Sequence, residues 1–130
     1  MRARQINPWE WQDRFGFSQG WRVDAAESVV FLAGQGPASA TGELVGEGDF
    51  DAQVRQTLAN VGAVLEQAGG SFESVVKLTV YLTDIGRLRD YGRIRAELMP
   101  GPPPASTAVQ VSALAWPGMM IEIDAIAVLG

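Results

Sequence analysis

The sequence predicts an α+β domain in which two helices pack on one face of a mixed β-sheet, in the order β-β-α-β-α-β-β. Apolar residues recur every three or four positions in two segments, Asp49 to Ala68 and Arg87 to Met99. Elsewhere they alternate or cluster in short β-branched runs, and one such run separates the two helical segments. No repeat, linker or low-complexity block divides the chain, so residues 1–130 read as a single domain. With 47% hydrophobic and 19% charged residues it is an ordinary globular composition.

Ser18 to Val23 and Ser28 to Gly34 are the first two strand-like runs. Asp24-Ala25-Ala26-Glu27 between them suggests a hairpin with a four-residue loop. Gly34-Gln35-Gly36-Pro37 ends the second run, and a polar, glycine-bearing loop follows to about Gly48, with room for a short strand near Glu43 to Val45. From Asp49, a suitable N-cap, the residues Phe50, Val54, Leu58, Val61, Val64, Leu65 and Ala68 share one helical face, and Gly69-Gly70 supplies the stop. Val75 to Leu82 then alternates, with Val76, Leu78, Val80 and Leu82 on one face and Lys77, Thr79 and Tyr81 on the other. A second helix from about Arg87 to Met99 turns Leu88, Tyr91, Ile94 and Leu98 inward, and Pro100-Gly101-Pro102-Pro103-Pro104 ends it. Thr107 to Leu114 and Met119 to Leu129 are the closing strands. A sheet with helices on one side leaves its other face bare. Thr79, Tyr81, Gln110 and Glu122 are expected there, a surface too mixed for a monomer core and suited to a closed symmetric assembly.

Composition removes much chemistry. The chain has no Cys and no His, which excludes disulfides, thiolate nucleophiles, Cys/His zinc sites, Ser-His-Asp triads and imidazole acid–base catalysis within it. The net charge of −5 argues against a nucleic-acid grip, which needs a basic stripe. Arg87, Arg89, Arg93 and Arg95 form a local basic run, but Asp84, Asp90 and Glu97 interleave with it, as on a solvated helix face. No apolar run approaches the ~20 residues that span a bilayer, and Met1 to Trp11 lacks the apolar region of a signal peptide. The expectation is a cytoplasmic protein with no metal and no cofactor.

Glu122 stands out. Alternation in Met119-Met120-Ile121-Glu122-Ile123-Asp124-Ala125-Ile126 sets it and Asp124 opposite Ile121 and Ile123. A carboxylate amid β-branched residues is expected to be partly desolvated and able to take a proton from water. The plainer alternative is a strand carboxylate paired with a Lys or Arg. Gly34 and Gly36 could present backbone N–H groups to an anion, or form a plain turn. Ser106 and Thr107 could hold a carboxylate, or serve turn and strand chemistry alone. Trp9, Trp11, Trp21 and Trp116 are commonly core or interface residues, with Trp116-Pro117-Gly118 placed to wall a cleft.

Several of these runs resemble the RidA/YjgF family. They are Gly34-Gln35, Asp51-Ala52-Gln53-Val54-Arg55-Gln56-Thr57-Leu58-Ala59-Asn60-Val61 closing at Ala68-Gly69-Gly70, Val75 to Asp84, and Ile121-Glu122-Ile123-Asp124-Ala125-Ile126-Ala127. The similarity covers about residues 15–128. It implies a chorismate-mutase-like fold, a homotrimer whose sheets form an inner barrel, and small-molecule clefts between subunits. The activity it implies is hydrolysis of reactive enamines and imines to a carbonyl compound and ammonia, without a cofactor and with no nucleic-acid or membrane partner. Members of this type clamp the substrate carboxylate with an Arg at the start of a late strand and position water with a Glu in the last one. Glu122 matches the Glu. The Arg position falls on Ser106, which forgoes a charge-assisted pair worth ~1.5–3 kcal/mol. Phe17 replaces a common Tyr, Ala33 a Ser, and Gly86 a frequent Asn. The substrate-binding set read this way is Phe17, Gly34, Gln35, Ser106, Thr107 and Trp116. The reading is an imine or enamine hydrolase with Glu122 as base and an altered carboxylate pocket, Phe17 and Trp116 forming apolar walls. The alternative is a trimeric metabolite-binding protein without turnover, and an endoribonuclease role, a label some members carry, ranks third.

Overall fold

The computed structural model describes all 130 residues. In chain order it contains β1 (Arg2–Ile6), β2 (Gly20–Asp24), β3 (Ser28–Gln35), α1 (Phe50–Gln67), β4 (Val75–Leu82), α2 (Leu88–Leu98), β5 (Ala105–Gln110) and β6 (Ile121–Leu129). A four-stranded mixed sheet has the order β3-β6-β4-β5. Strand β6 runs antiparallel to both of its neighbours, and β4 runs parallel to β5 across the α2 crossover. Both helices lie on one side of this sheet, as the sequence predicts.

The expected hairpin between the first two strand-like runs does not form. β2 pairs antiparallel with β1, from Arg2 opposite Asp24 to Ile6 opposite Gly20, and β3 pairs with β6. Arg2–Ile6, which carried no strand expectation, gives β2 its ladder, and the long central β6 offers β3 a full antiparallel partner. Ala25, in the link, takes a left-handed φ of 57°. The β1–β2 ribbon is pinned to the start of β5. Ser18 donates its N–H to the Pro104 carbonyl (3.1 Å) and its hydroxyl to that of Pro103 (2.6 Å), and Trp21 Nε1 donates to Pro103 as well (3.0 Å).

Helix α1 begins where Asp49 accepts a bond from the Ala52 N–H (3.1 Å) and is followed by Gly69 at φ +88°. Its stripe of Val54, Leu58, Val61 and Leu65 is fully buried against Leu78, Val80 and Leu82 of β4, Ile121 and Ile123 of β6, and Ile94 of α2. Each such side chain contributes about 1.5–3 kcal/mol by leaving water. Four expectations need correction. Val64 and Ala68 lie exposed at the end of the α1 stripe, and Leu88 is exposed at the first position of α2. In β4 a register shift between Val75 and Lys77 buries Val75 rather than Val76. Residues 43–45 form no strand, only an isolated bridge between Ala38 and Leu44.

Buried Gln53 and Thr57 and half-buried Asn60 interrupt the apolar face of α1, and the two amides reach backbone outside the helix. The Gln53 side chain, with no exposure, donates to the carbonyls of Gly46 (3.1 Å) and Gly118 (2.9 Å) and accepts from the Met120 N–H (2.8 Å). Asn60 Nδ2 donates to the carbonyls of Gly36 and Ala38, both at 2.9 Å. Through these bonds α1 clasps the loop after β3 and the loop before β6.

The opposite face of the sheet carries Val29 and Phe31 of β3, Lys77, Thr79 and Tyr81 of β4, Thr107 and Val109 of β5, and Glu122, Asp124 and Ile126 of β6. Phe31 is 75% exposed, and Val29 and Val109 are also open to solvent. Gln110, expected on this face, is instead paired with Leu82 on the helix side and accepts from the Ile85 N–H at 2.9 Å. Tyr81 donates its hydroxyl to Asp124 Oδ2 (2.9 Å), and this bond, with some desolvation, raises the phenol above its ordinary value. Burial raises Tyr91, in α2, far more strongly, partly offset by the Arg95 charge.

Replacing Gln53 by Ala strands the Gly118 carbonyl and the Met120 N–H, while the Gly46 carbonyl keeps the Asp49 N–H, and it should cost about 3 kcal/mol. Urea unfolding checks this as a lowered midpoint at unchanged slope, with exposed Gln67→Ala within about 0.5 kcal/mol of the parent. The two tyrosines give a pH signature. Both hold their protons more tightly when folded, so above about pH 10 the native chain binds more protons than the unfolded one. Stability is therefore full below that pH and falls as pH rises towards the folded-state values. Ultraviolet titration should show little tyrosinate at pH 10 in native protein; half-ionisation of both rings there would contradict the structure.

Candidate active site

Glu122 is set by the alternation of β6. Ile121, Ile123, Ala125 and Ala127 are buried under the helices, which leaves Glu122 half-buried on the open face, directly across from Tyr81. Its carboxylate takes part in none of the five ion pairs and in none of the side-chain hydrogen bonds. Within one chain no Lys or Arg pairs with it, as the plainer alternative would have. Asp124, two residues on, is already engaged by Tyr81.

Gly34 explains where the Glu122 carboxylate rests. A Cβ at position 34 would lie 2.6 Å from Oε2 and 2.8 Å from Cδ, closer than real contacts allow. The requirement is space, since Gly34 has no left-handed φ. A register irregularity in β3 between Leu32 and Gln35 accompanies this approach. Gln35, across from Ile123, folds back to donate Nε2 to the Ala33 carbonyl (3.1 Å). The Gly36 carbonyl is taken by Asn60 and by the Ala38 N–H. Gly34 and Glu122 are therefore brought together, with Asp124 and Tyr81 beside them, whereas Gln35 shares the register of Ile123 on the helix side.

The other sequence-derived residues do not join them within one chain. Ser106 sits opposite Leu78 and faces the helix layer, the side away from Glu122. Thr107, one residue later, lies on the open face opposite Thr79, and its hydroxyl accepts from Lys77 Nζ at 2.7 Å. Phe17 packs edge-on against Trp11 at 5.8 Å. Trp116, in the loop before β6, lies beside Gly42, whose β position is 4.0 Å from Cη2. No cluster of three or more acidic side chains is arranged to hold a metal ion.

Sequence reasoning missed the Tyr81–Asp124 bond and the clasping roles of Gln53 and Asn60. The signal for the first was the shared strand face of both residues. For Gln53 it was an amide at a position that helical spacing places near the apolar stripe.

The family model described as Endoribonuclease L-PSP matches residues 12–129. A RutC family protein of Pyrococcus horikoshii is 44% identical over 103 residues, covering 78% of this chain and 80% of that protein. The chloroplastic Reactive Intermediate Deaminase A of Arabidopsis thaliana is 39% identical over 105 residues, 80% of this chain and 55% of that longer protein. The crystal structure of YyfB, of the conserved Rid protein family, from Yersinia pestis superposes with a TM-score of 0.89 at 36% identity, over 99% of this chain and 100% of that one. With its two helices on a mixed sheet, the fold is the chorismate-mutase-like one of these relatives. On sequence and on fold alike, this chain belongs to the RidA/RutC (endoribonuclease L-PSP) family.

Proposed function

We propose that this chain is a RidA-like hydrolase that converts a reactive imine or enamine to a carbonyl compound and ammonia, with Glu122 as the base. The observation that carries this reading is the uncommitted Glu122 carboxylate, seated where only a glycine at position 34 leaves room. Glu122 takes a proton from water as the water oxygen bonds to the imine carbon. The same proton then passes to the nitrogen to give the carbinolamine. Glu122 next takes the hydroxyl proton and returns it to the amine, and as the C=O bond forms the C–N bond breaks and ammonia leaves. An enamine enters the same route after protonation to its imine. The family relative named a reactive intermediate deaminase supports this chemistry.

The working unit is a homotrimer in this reading. Phe31, Val29 and Val109 on the open sheet face are apolar surface that a second and third copy would cover. Clefts at subunit boundaries would let Phe17, Ser106, Thr107 or Trp116 of one copy complement Gly34, Gln35 and Glu122 of another. Because Ser106 brings no guanidinium, the preferred imine is larger or less anionic than a small imino acid, with Phe17 and Trp116 as apolar walls. The same missing charge favours a second reading, in which the trimer holds a metabolite without turning it over. An RNA substrate is disfavoured by the net charge of −5 and the absence of His.

Glu122→Gln keeps the shape and removes the base, so it should slow hydrolysis by at least about 100-fold. The assay generates imino acids of varied side chain with an amino-acid oxidase and follows their loss. Gly34→Ala should slow it in the same direction by displacing the carboxylate. A Glu122→Gln variant that turns over at the parent rate would remove Glu122 from the mechanism. In light scattering at micromolar concentration the protein should run as a trimer of 13.9 kDa chains, and a monomer would end the cleft reading.

A further inference from the structure

Away from Glu122, a second concavity of about 240 Å³ lies between the end of α2 and the segment before β2. Gln5, Asp13, Gly16, Phe17 and Arg95 line it, with Pro100 and Pro103 at one wall. It contains none of Gly34, Gln35, Asp124 or Glu122, and of the proposed substrate set it contains only Phe17.

Arg95 is the unusual member. It is 7% exposed, it forms none of the ion pairs of the chain, and its Nη1 is buried without any acceptor. The guanidinium makes one bond, from Nη2 to the Gly16 carbonyl at 3.1 Å. A Cβ at Gly16, which has φ +73°, would also lie 3.1 Å from Nη2, so the glycine both turns the chain and leaves the guanidinium room. A purely structural Arg at a helix C-terminus gains from the helix dipole, but that gain does not require a buried N–H with no acceptor. Buried guanidinium groups are ordinarily matched by a carboxylate or phosphate in a two-point fork.

The cavity contains one carboxylate, Asp13, and it is not that match. Asp13 stands beyond ion-pair distance of Arg95, and its Oδ1 accepts from Gln12 Nε2 at 3.2 Å. A ligand that is only anionic would meet Asp13 as a like charge. One carrying a carboxylate and an amine meets opposite charges at both ends, with the Phe17 ring and the prolines as its apolar surroundings. We propose that the Arg95–Asp13 cavity is a binding site for a small zwitterion of the amino-acid type, its carboxylate on Arg95 and its ammonium on Asp13. This assignment does not rest on the role of Glu122, although both readings place Phe17 beside a ligand.

Isothermal titration calorimetry on the full chain tests it, with glycine, L-alanine and L-leucine as probes and acetate and ethylamine as the two half-ligands. At least one amino acid should bind saturably and at least tenfold more tightly than acetate or ethylamine. Arg95→Met should weaken that binding at least tenfold, and Asp13→Asn should shrink the preference over acetate. Should Arg95→Met fold poorly, Arg95→Lys retains the charge without the fork and should also weaken binding. The proposal is overturned if no probe saturates, if acetate binds as tightly as the amino acids, or if the Arg95 variants bind as the parent does. Calorimetry reads binding and not turnover, so its failure and a failure of the hydrolase reading are separate results.

Discussion

Strand β6 is held between β3 and β4 by antiparallel ladders on both edges, and the rest of the molecule depends on its register. Its period of two sends Ile121, Ile123, Ala125 and Ala127 under the helices and Glu122, Asp124 and Ile126 to the other face. A slip by one residue would put two carboxylates into an apolar layer and expose two isoleucines, a cost no other contact here could offset. The alternation that makes the core is therefore also what presents the carboxylates. Fold and candidate site share one constraint.

Register alone does not fix where the strand ends. The bonds of Gln53 and Asn60 do that, because backbone groups leaving a sheet need partners that the ladder no longer supplies. Gln53 reaches the Met120 N–H immediately before β6, and Asn60 reaches the Gly36 carbonyl immediately after β3. Those two points bracket the contact between Gly34 and Glu122. Amides on the inner side of a helix are costly when unmet, but here both are met, and the Gly118 and Ala38 carbonyls and the Met120 N–H have these bonds as their partners. Helix α1 thus supplies apolar mass to the core and positions the loops beside the site.

How far this was legible in the sequence follows from the range of the interactions involved. The helices, β4, β6 and the Glu122 face depend on local periodicity, and the sequence shows them. The resemblance carried by residues such as Glu122 and Gly34-Gln35 reached the family. Strand partnership is non-local. Nothing within Ser18 to Gly34 records that β2 pairs backwards with Arg2–Ile6, so the nearer strand was the natural choice and the wrong one. The bulge at Val76 was hidden for the same reason, since a one-residue irregularity reverses which side chain faces in, and the pairing of Gln110 with Leu82 on the helix side is equally a matter of strand partnership. Arg95 read as one of a solvated basic run because Asp84, Asp90 and Glu97 interleave with it; Arg89 and Arg93 are indeed exposed, but Arg95 is buried and bonds the Gly16 carbonyl.

Two carboxylates two residues apart on one strand face would be interchangeable by sequence, and the structure separates them. Asp124 is shorter and is held by the Tyr81 hydroxyl, which shares its charge in a fixed hydrogen bond. Glu122 has no such partner and lies against the bare backbone at Gly34. Asp124 commits one oxygen to Tyr81 and is oriented by it, whereas both oxygens of Glu122 are open to a water, so Glu122 is the freer of the two to take a proton. The same bond confines Asp124 to its own side of Tyr81, although Glu122 faces that ring directly across the ladder. The unequal treatment of two like groups, and not the mere presence of a carboxylate, makes Glu122 the better candidate.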